Sequence, residues 1–328
     1  MKAVEKSLAF EDLLHLVFIS VASLVLLAWL LRLEGGDPFD LIRAPVLGLV
    51  SPLACARCLD LTASLLIAAI GCSLAAKSDK MNIGAEGQFI LGFVLASYIA
   101  DCFCNSPLSC MVLAVIVSIF LGAAAGLVCF PSSILTSSGP GASTRGVGVD
   151  GHCDGLAPGI IFNLFVYSLL VGSTFDSKPV LFPLLDSSPS PKSGVLAALA
   201  LFLFYRYLMG YMTLGIELRC SGYGKTELLS ACSVGALCSL GGAFCCLSGC
   251  FGEGSPIGPF GLGVLALASS LLTRRSLEIL LPLVLLFNAS VVSGWKGTGA
   301  LGSSSAAFAL CLLLLISFLK SNIEGDGA

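Results

Sequence analysis

The chain has 328 residues, 56% of them hydrophobic and 11% charged, with a formal net charge of −3. Water-soluble domains carry about 25% charged residues, so this composition excludes that class, and the absence of a basic tract excludes a nucleic-acid-binding surface. Several apolar runs reach the roughly 20 residues needed to cross the hydrocarbon core, and they are continuous rather than alternating with period two, so an all-α polytopic bundle is expected and not a β-barrel.

Residues 1–12 are short and charged. Leu13–Leu31 is the first predicted span, an uncleaved anchor, because its apolar stretch exceeds the about 7–15 residues of a signal peptide and no small-x-small cleavage site follows. Residues 34–58 hold Pro38, Pro45 and Pro52, with room for a short or re-entrant helix. Leu59–Ala76 is the second span and Ile83–Ala100 the third. Leu108–Phe130, the fourth, carries Ser118, Gly122 and Gly126 four apart, a small-residue face that lets membrane helices approach closely.

After a Ser-, Gly- and Pro-rich break at 131–155 comes Leu156–Thr174, with Asn163 inside it. A proline-rich loop from Phe175 to Lys192 leads to Val195–Met209. A polar loop at 210–227 precedes Leu228–Cys250, where Ala231, Gly235, Ser239 and Ala243 form a second small-residue stripe. Gly261–Thr273 is too short to span comfortably and follows a stretch rich in Gly and Pro, as broken helices do where the chain lines an enclosed cavity. Leu277–Val292 and Leu301–Leu319 come last, before an acidic tail at 321–328. The expectation is about eight to ten membrane segments within 13–320. With the N-terminus inside, eleven Lys and Arg fall on that side and six on the other, which predicts both termini and the loop 210–231 in the cytoplasm.

Fifteen cysteines would frame a disulfide scaffold in a small secreted chain. Here most of them, including Cys72, Cys110, Cys129, Cys238 and Cys245, lie in apolar runs, where a free thiol acts as a small hydrophobe. Cys55-Ala56-Arg57-Cys58 has the spacing of a redox pair, but no thioredoxin-like unit surrounds it. His15 and His152 are too few and too scattered for a zinc site. Gly222-Tyr223-Gly224-Lys225-Thr226 lacks the leading glycine of a phosphate loop, and Gly146–Gly151 matches a dinucleotide string with no strand before it. No catalytic arrangement and no bound cofactor are expected in this chain.

The most informative stretch is Asn82-Ile83-Gly84-Ala85-Glu86-Gly87-Gln88, a polar, glycine-punctuated plug between two apolar runs. Polar groups within a membrane are costly and usually functional. Asn82 reads first as a helix N-cap, and Glu86 in the first turn suits the positive end of the helix dipole. Asn82, Glu86 and Gln88 are also candidates for contacting a solute or gating its path. Asn163 and Asn288, each inside an apolar run, either bind a polar solute or hydrogen-bond between helices. Phe162, Phe165 and Tyr167 either stack on a flat ring or pack against lipid.

The heptad, followed by an apolar helix, resembles the signature of the membrane subunits of bacterial ABC importers of the branched-chain amino acid and simple-sugar permease family, closest to the nucleoside-type branch. Further along, Thr213-Leu214-Gly215-Ile216-Glu217-Leu218-Arg219 resembles that family's opening of the cytoplasmic coupling loop, with Gly222 near its Gly-x-Asn. Gly258-Pro259-Phe260-Gly261-Leu262-Gly263-Val264 is similar to its Gly-Phe-x-Gly-Ile-Ala segment. The resemblance covers roughly residues 55–320. It departs at the loose 131–155 segment and at Tyr223-Gly224, where the family has Asn-Pro.

The resemblance implies a permease of the bacterial inner membrane, paired with itself or a second permease and fed by an extracytoplasmic binding protein. A separate cytoplasmic ATPase would dock on Glu217, Leu218, Arg219 and Gly222. It implies a small heteroaromatic solute such as a nucleoside or riboflavin, with a simple sugar as the alternative. A different class, an ion-coupled transporter acting alone, would use Asp60 and Glu86 as coupling residues.

Overall fold

The computed structural model describes residues 52–77, 82–102, 107–129, 156–172, 193–213, 215, 225–248 and 261–273, with isolated positions between 21 and 39 and between 281 and 289. Seven helices have described bounds: α1 Pro52–Lys77, α2 Ala85–Cys102, α3 Pro107–Cys129, α4 Leu156–Gly172, α5 Ser193–Tyr211, α6 Lys225–Leu247 and α7 Leu262–Leu272. No strand occurs among the described residues. The protein is an all-α helical bundle. Of the first expected span only Val21, Val25 and Trp29 are described, all helical, as is Arg32 just beyond it. The last expected span, the N-terminal segment and the tail lie outside the described residues.

Helix boundaries follow local chemistry. Pro52 and Pro107 each open a helix, where a fixed φ and a missing N–H cost nothing. Lys77 closes α1 at the negative end of its dipole. The early start at Pro52, seven residues ahead of the expected Leu59, places Cys55, Cys58 and Asp60 within α1 instead of at a loop edge. Neither Cys55 nor Cys58 is in a disulfide, and the Cys58 thiol faces the Leu286 carbonyl at 3.8 Å. Asp60 is buried. The 26 residues of α1 span about 39 Å at 1.5 Å per residue.

Three helical stretches, Cys58–Lys77, Ser109–Cys129 and Leu228–Leu247, are long and apolar enough to cross a membrane. The described parts of α4, α5 and α7 are shorter apolar helices. The distribution of apolar surface is that of a protein in lipid. The stretch of α1 is 94% buried although it carries Asp60, Ser64 and Ser73, whereas that of α3 is only 33% buried although it is nearly all apolar. Met111, Ile116, Phe120 and Val128 of α3 face outward, as do Ile161, Leu164 and Phe165 of α4 and Leu196, Leu203 and Phe204 of α5. Water would not tolerate so continuous an apolar rim.

Helix α6 is the hub, packed on α1, α2 and α3. The two small-residue stripes meet here. A Cβ on Gly122 would overlap Ser239 and the Gly235 carbonyl, and one on Gly126 would overlap the Ala231 carbonyl. On its next face α6 meets α2, where a Cβ on Gly242 would overlap the Phe89 carbonyl and one on Gly92 the Ser239 carbonyl. Association in lipid has no hydrophobic drive, so close backbone approach through small residues supplies the packing energy. Hydroxyls in this core find carbonyls: Ser64 Oγ donates to the Gly241 carbonyl at 2.8 Å, and Ser73 Oγ and Tyr205 Oη share a hydrogen bond of 2.8 Å that joins α1 to α5.

Candidate functional site

The polar heptad forms the start of α2, and its two glycines are places where other helices arrive. A Cβ on Gly84 would collide with the Cys129 thiol of α3. One on Gly87 would lie 2.7 Å from Asn163 Oδ1 and 2.8 Å from the Phe162 ring of α4. Gly159, one turn before Asn163, comes equally close to the Gly84 backbone. Helix α4 therefore crosses the beginning of α2 at Gly159 and Asn163, and only glycine at 87 admits the asparagine.

Asn163 supplies the cap that sequence reasoning assigns to Asn82. Its Oδ1 accepts from the Gly87 N–H at 2.8 Å, and its Nδ2 donates to the Ile83 carbonyl at 2.9 Å. The Gly87 N–H is one of the donors a helix start leaves without an intrahelical partner, and Asn163 satisfies it from another helix. The Asn82 side chain does not cap α2. Its Nδ2 instead donates to Gln88 Oε1 at 2.8 Å and approaches Cys238 Sγ at 3.5 Å, and its Oδ1 has no partner. Asn82 precedes the helix by three residues, and its amide is drawn to the Gln88 amide one turn in.

Glu86 faces away from its own helix dipole. It is 1% exposed, and its carboxyl group caps α7 across 175 residues of sequence. Oε1 accepts from the Gly261 N–H at 2.5 Å and from Tyr167 Oη at 3.1 Å, and Oε2 accepts from the Val264 N–H at 2.9 Å. Gly261 sits in the left-handed region at φ 82°, and no side chain of its own caps α7. Gly263 lets the backbones of α2 and α7 touch at Ala85 and Glu86, where a Cβ would not fit. One carboxyl group thus ties α2, α4 and α7 together.

Asn288 lies apart from this cluster. Its Nδ2 donates to Ser269 Oγ at 3.1 Å, and Ser269 Oγ donates in turn to the Leu265 carbonyl at 2.8 Å within α7. Among the aromatics, Tyr167 is engaged by Glu86, Phe162 packs at Gly87, and Phe165 is exposed on the apolar rim.

The structure therefore brings Asn82, Glu86, Gln88 and Asn163 into one buried cluster and sorts them. Glu86 and Asn163 have both ends engaged. Among the described residues, Asn82 Oδ1 and Gln88 Nε2 are buried without a hydrogen-bond partner, as are Ser118 Oγ and Ser239 Oγ. Sequence reasoning missed the α7 N-terminus as the partner of Glu86. The signal was available: Gly261-Leu262-Gly263-Val264 opens a helix with no Ser, Thr, Asp or Asn to cap it, so its N–H groups need an acceptor from elsewhere.

Around the expected coupling loop, the end of α5 folds back on itself. The Gly215 N–H donates to the Met212 carbonyl at 3.0 Å, and a Cβ at 215 would overlap the Leu208 carbonyl. Residues 225–231, assigned to the loop from sequence, are the first two turns of α6. Glu217, Leu218, Arg219 and Gly222 lie outside the described residues.

These features define the class, a helical membrane protein with a buried polar hub. Comparison with protein-family models, curated proteins and solved structures gives no match.

Proposed function

We propose that the chain is the permease subunit of an ATP-driven importer that moves a small heteroaromatic solute, of nucleoside or flavin type, across a bacterial inner membrane. The observation that carries this reading is the hub at the start of α2. Two amides and a carboxyl group converge there inside a bundle whose rim is apolar, against the N-terminus of a helix of only 11 residues. Short helices ending at a polar point in mid-bundle are a device of transport proteins, because irregular backbone is tolerated in lipid only where protein encloses it. The resemblance of Asn82–Gln88 and Thr213–Arg219 to ABC permease motifs supports the same reading and supplies the energy source, a separate cytoplasmic ATPase.

In this mechanism the segment after Gly215, with Glu217, Leu218, Arg219 and Gly222, docks on the ATPase. Closure of the ATPase passes along α5 and α6 as a rigid-body movement. A second permease completes the pathway, and an extracytoplasmic protein delivers the solute. Arg219→Glu in the co-reconstituted complex should abolish ATP-driven uptake while the purified chain keeps its unfolding temperature. Uptake at the normal rate from that variant would contradict the placement of the docking segment.

A further inference from the structure

The two amides left half-satisfied at the hub share one geometry. Asn82 and Gln88 are 1% and 0% exposed, and they join through a single hydrogen bond, Asn82 Nδ2 to Gln88 Oε1, of 2.8 Å. Two primary amides can pair through two such bonds. Here the second arm stays open, leaving Asn82 Oδ1 as a free acceptor and Gln88 Nε2 as a free donor. Exchanging nitrogen and oxygen in both amides would keep the inner bond and still leave one donor and one acceptor. A buried polar atom without a partner carries a penalty, so two of them on neighbouring side chains of one hub require a reason.

The other open polar atoms, Ser118 Oγ and Ser239 Oγ, are single hydroxyls, and the other candidate site residues are engaged. Glu86 is filled by the α7 backbone and Tyr167, Asn163 by Gly87 and Ile83, and Asn288 bonds Ser269. The open arm is flanked by Gly84, where a Cβ would stand 3.6 Å from Asn82 Oδ1, by the Cys238 thiol at 3.5 Å from Nδ2, and by the Cys129 thiol, which faces the Gln88 side chain. No charged group is among these neighbours, so a neutral guest suits the site.

We propose that Asn82 and Gln88 recognise a neutral donor–acceptor edge, a ring N–H beside a ring C=O, as in a lactam or imide heterocycle. Asn82 Oδ1 accepts from the ring N–H and Gln88 Nε2 donates to the ring carbonyl. The inference rests on the importer reading and narrows it. Purine nucleosides with a 6-oxo group and flavins share this edge, and ribose lacks it. The pair is closed off in this conformation by Cys238 of α6 and Cys129 of α3, so the edge engages it when α2 parts from α3 and α6 during the transport cycle. A water molecule, which also donates and accepts, presents the same chemistry, and the experiment separates the two guests.

The test uses the whole importer in proteoliposomes with ATP and compares inosine with N1-methylinosine, riboflavin with N3-methylriboflavin, and ribose. N-methylation removes the donor and keeps the ring. The expected result for the wild type is uptake of one parent heterocycle at about tenfold or more the rate of its N-methyl analogue. The double variant Asn82→Leu with Gln88→Met should lose that discrimination by slowing the parent to the rate of the analogue. Equal uptake of parent and analogue by the wild type means that only water occupies the pair, and overturns the proposal without any variant having to fold. ATP-driven uptake of ribose alone overturns the proposal and leaves the importer reading standing. Absence of ATP-driven uptake for every probe overturns both.

Discussion

Glu86 and Gln88 stand two residues apart in the first turn of α2, both buried and both polar, yet they are built differently. Around Glu86, the donors that face the carboxyl group come from backbone or a tyrosine fixed by its own helix: Gly261, Gly263 and Val264 at the head of α7, and Tyr167 on α4. Around Gln88, the amide bonds another amide and faces the Cys129 thiol, and among the described residues one end of each amide is open. A saturated polar group in lipid holds helices together, because removing it strands its partners. A half-satisfied one holds little and leaves bonding capacity for a guest. The contrast gives the first an architectural place, and the recognition proposed above rests on the second.

The strongest way to break this comparison is Glu86→Ala. It would leave the Gly261 and Val264 N–H groups and the Tyr167 hydroxyl without their acceptor, at an expected cost of about 3–5 kcal/mol. A thiol-reactive dye, which reports exposure of the buried cysteines on heating, should show the unfolding temperature collapse. Retention of the wild-type temperature would deny Glu86 its tie. Next, Gly235→Leu forces a side chain into the carbonyl of Gly122 and the backbone of Gly126, and overpacking of that kind costs about 1–3 kcal/mol or more. Cross-linking between cysteines placed on α3 and α6 would report the separation.

Asn163→Leu, smaller again, strands the Gly87 N–H and the Ile83 carbonyl, at about 1–3 kcal/mol by the same dye assay. By contrast, the double change Asn82→Leu with Gln88→Met removes both members of one hydrogen bond together with two open polar atoms. Paired apolar replacement is close to neutral, so stability should stay within about 1 kcal/mol while solute selectivity disappears. A loss as large as that of Glu86→Ala would erase the distinction between the two residues. At the bottom of the scale, Phe120→Ala on the exposed face of α3 should change stability by about 0.5 kcal/mol or less, and a larger effect would mean that protein, not lipid, covers that face.

Much of this architecture was legible in the chain. The apolar runs located α2 to α7 to within a few residues, because length and hydropathy decide a helix in lipid. The stripes Ser118–Gly126 and Ala231–Ala243 announced helices that pack closely, and the structure sets them against one another. Boundaries moved where local chemistry outweighed hydropathy. Pro52 started α1 early, and Lys225 to Glu227 were helical although polar.

The site was legible as a location and illegible as a set of bonds. Asn82 had the spacing of a cap, but the helix start is capped by Asn163, 81 positions further along the chain. Glu86 sits where its own dipole would favour it, but the vacant N–H groups of α7 hold it more firmly. Such choices depend on which helix crosses which, and a one-dimensional pattern of apolar residues does not encode crossing partners.

The measurement that bears most directly on the account is solute uptake by this chain co-reconstituted with the proposed ATPase, second permease and binding protein. Labelled guanosine, riboflavin and ribose would be offered with ATP inside the vesicles, and separately with an ion gradient and no ATP. The account predicts uptake of one heterocyclic solute only when ATP is present. Uptake driven by the ion gradient alone would contradict it, and would make Asp60 and Glu86 the residues to examine as coupling groups.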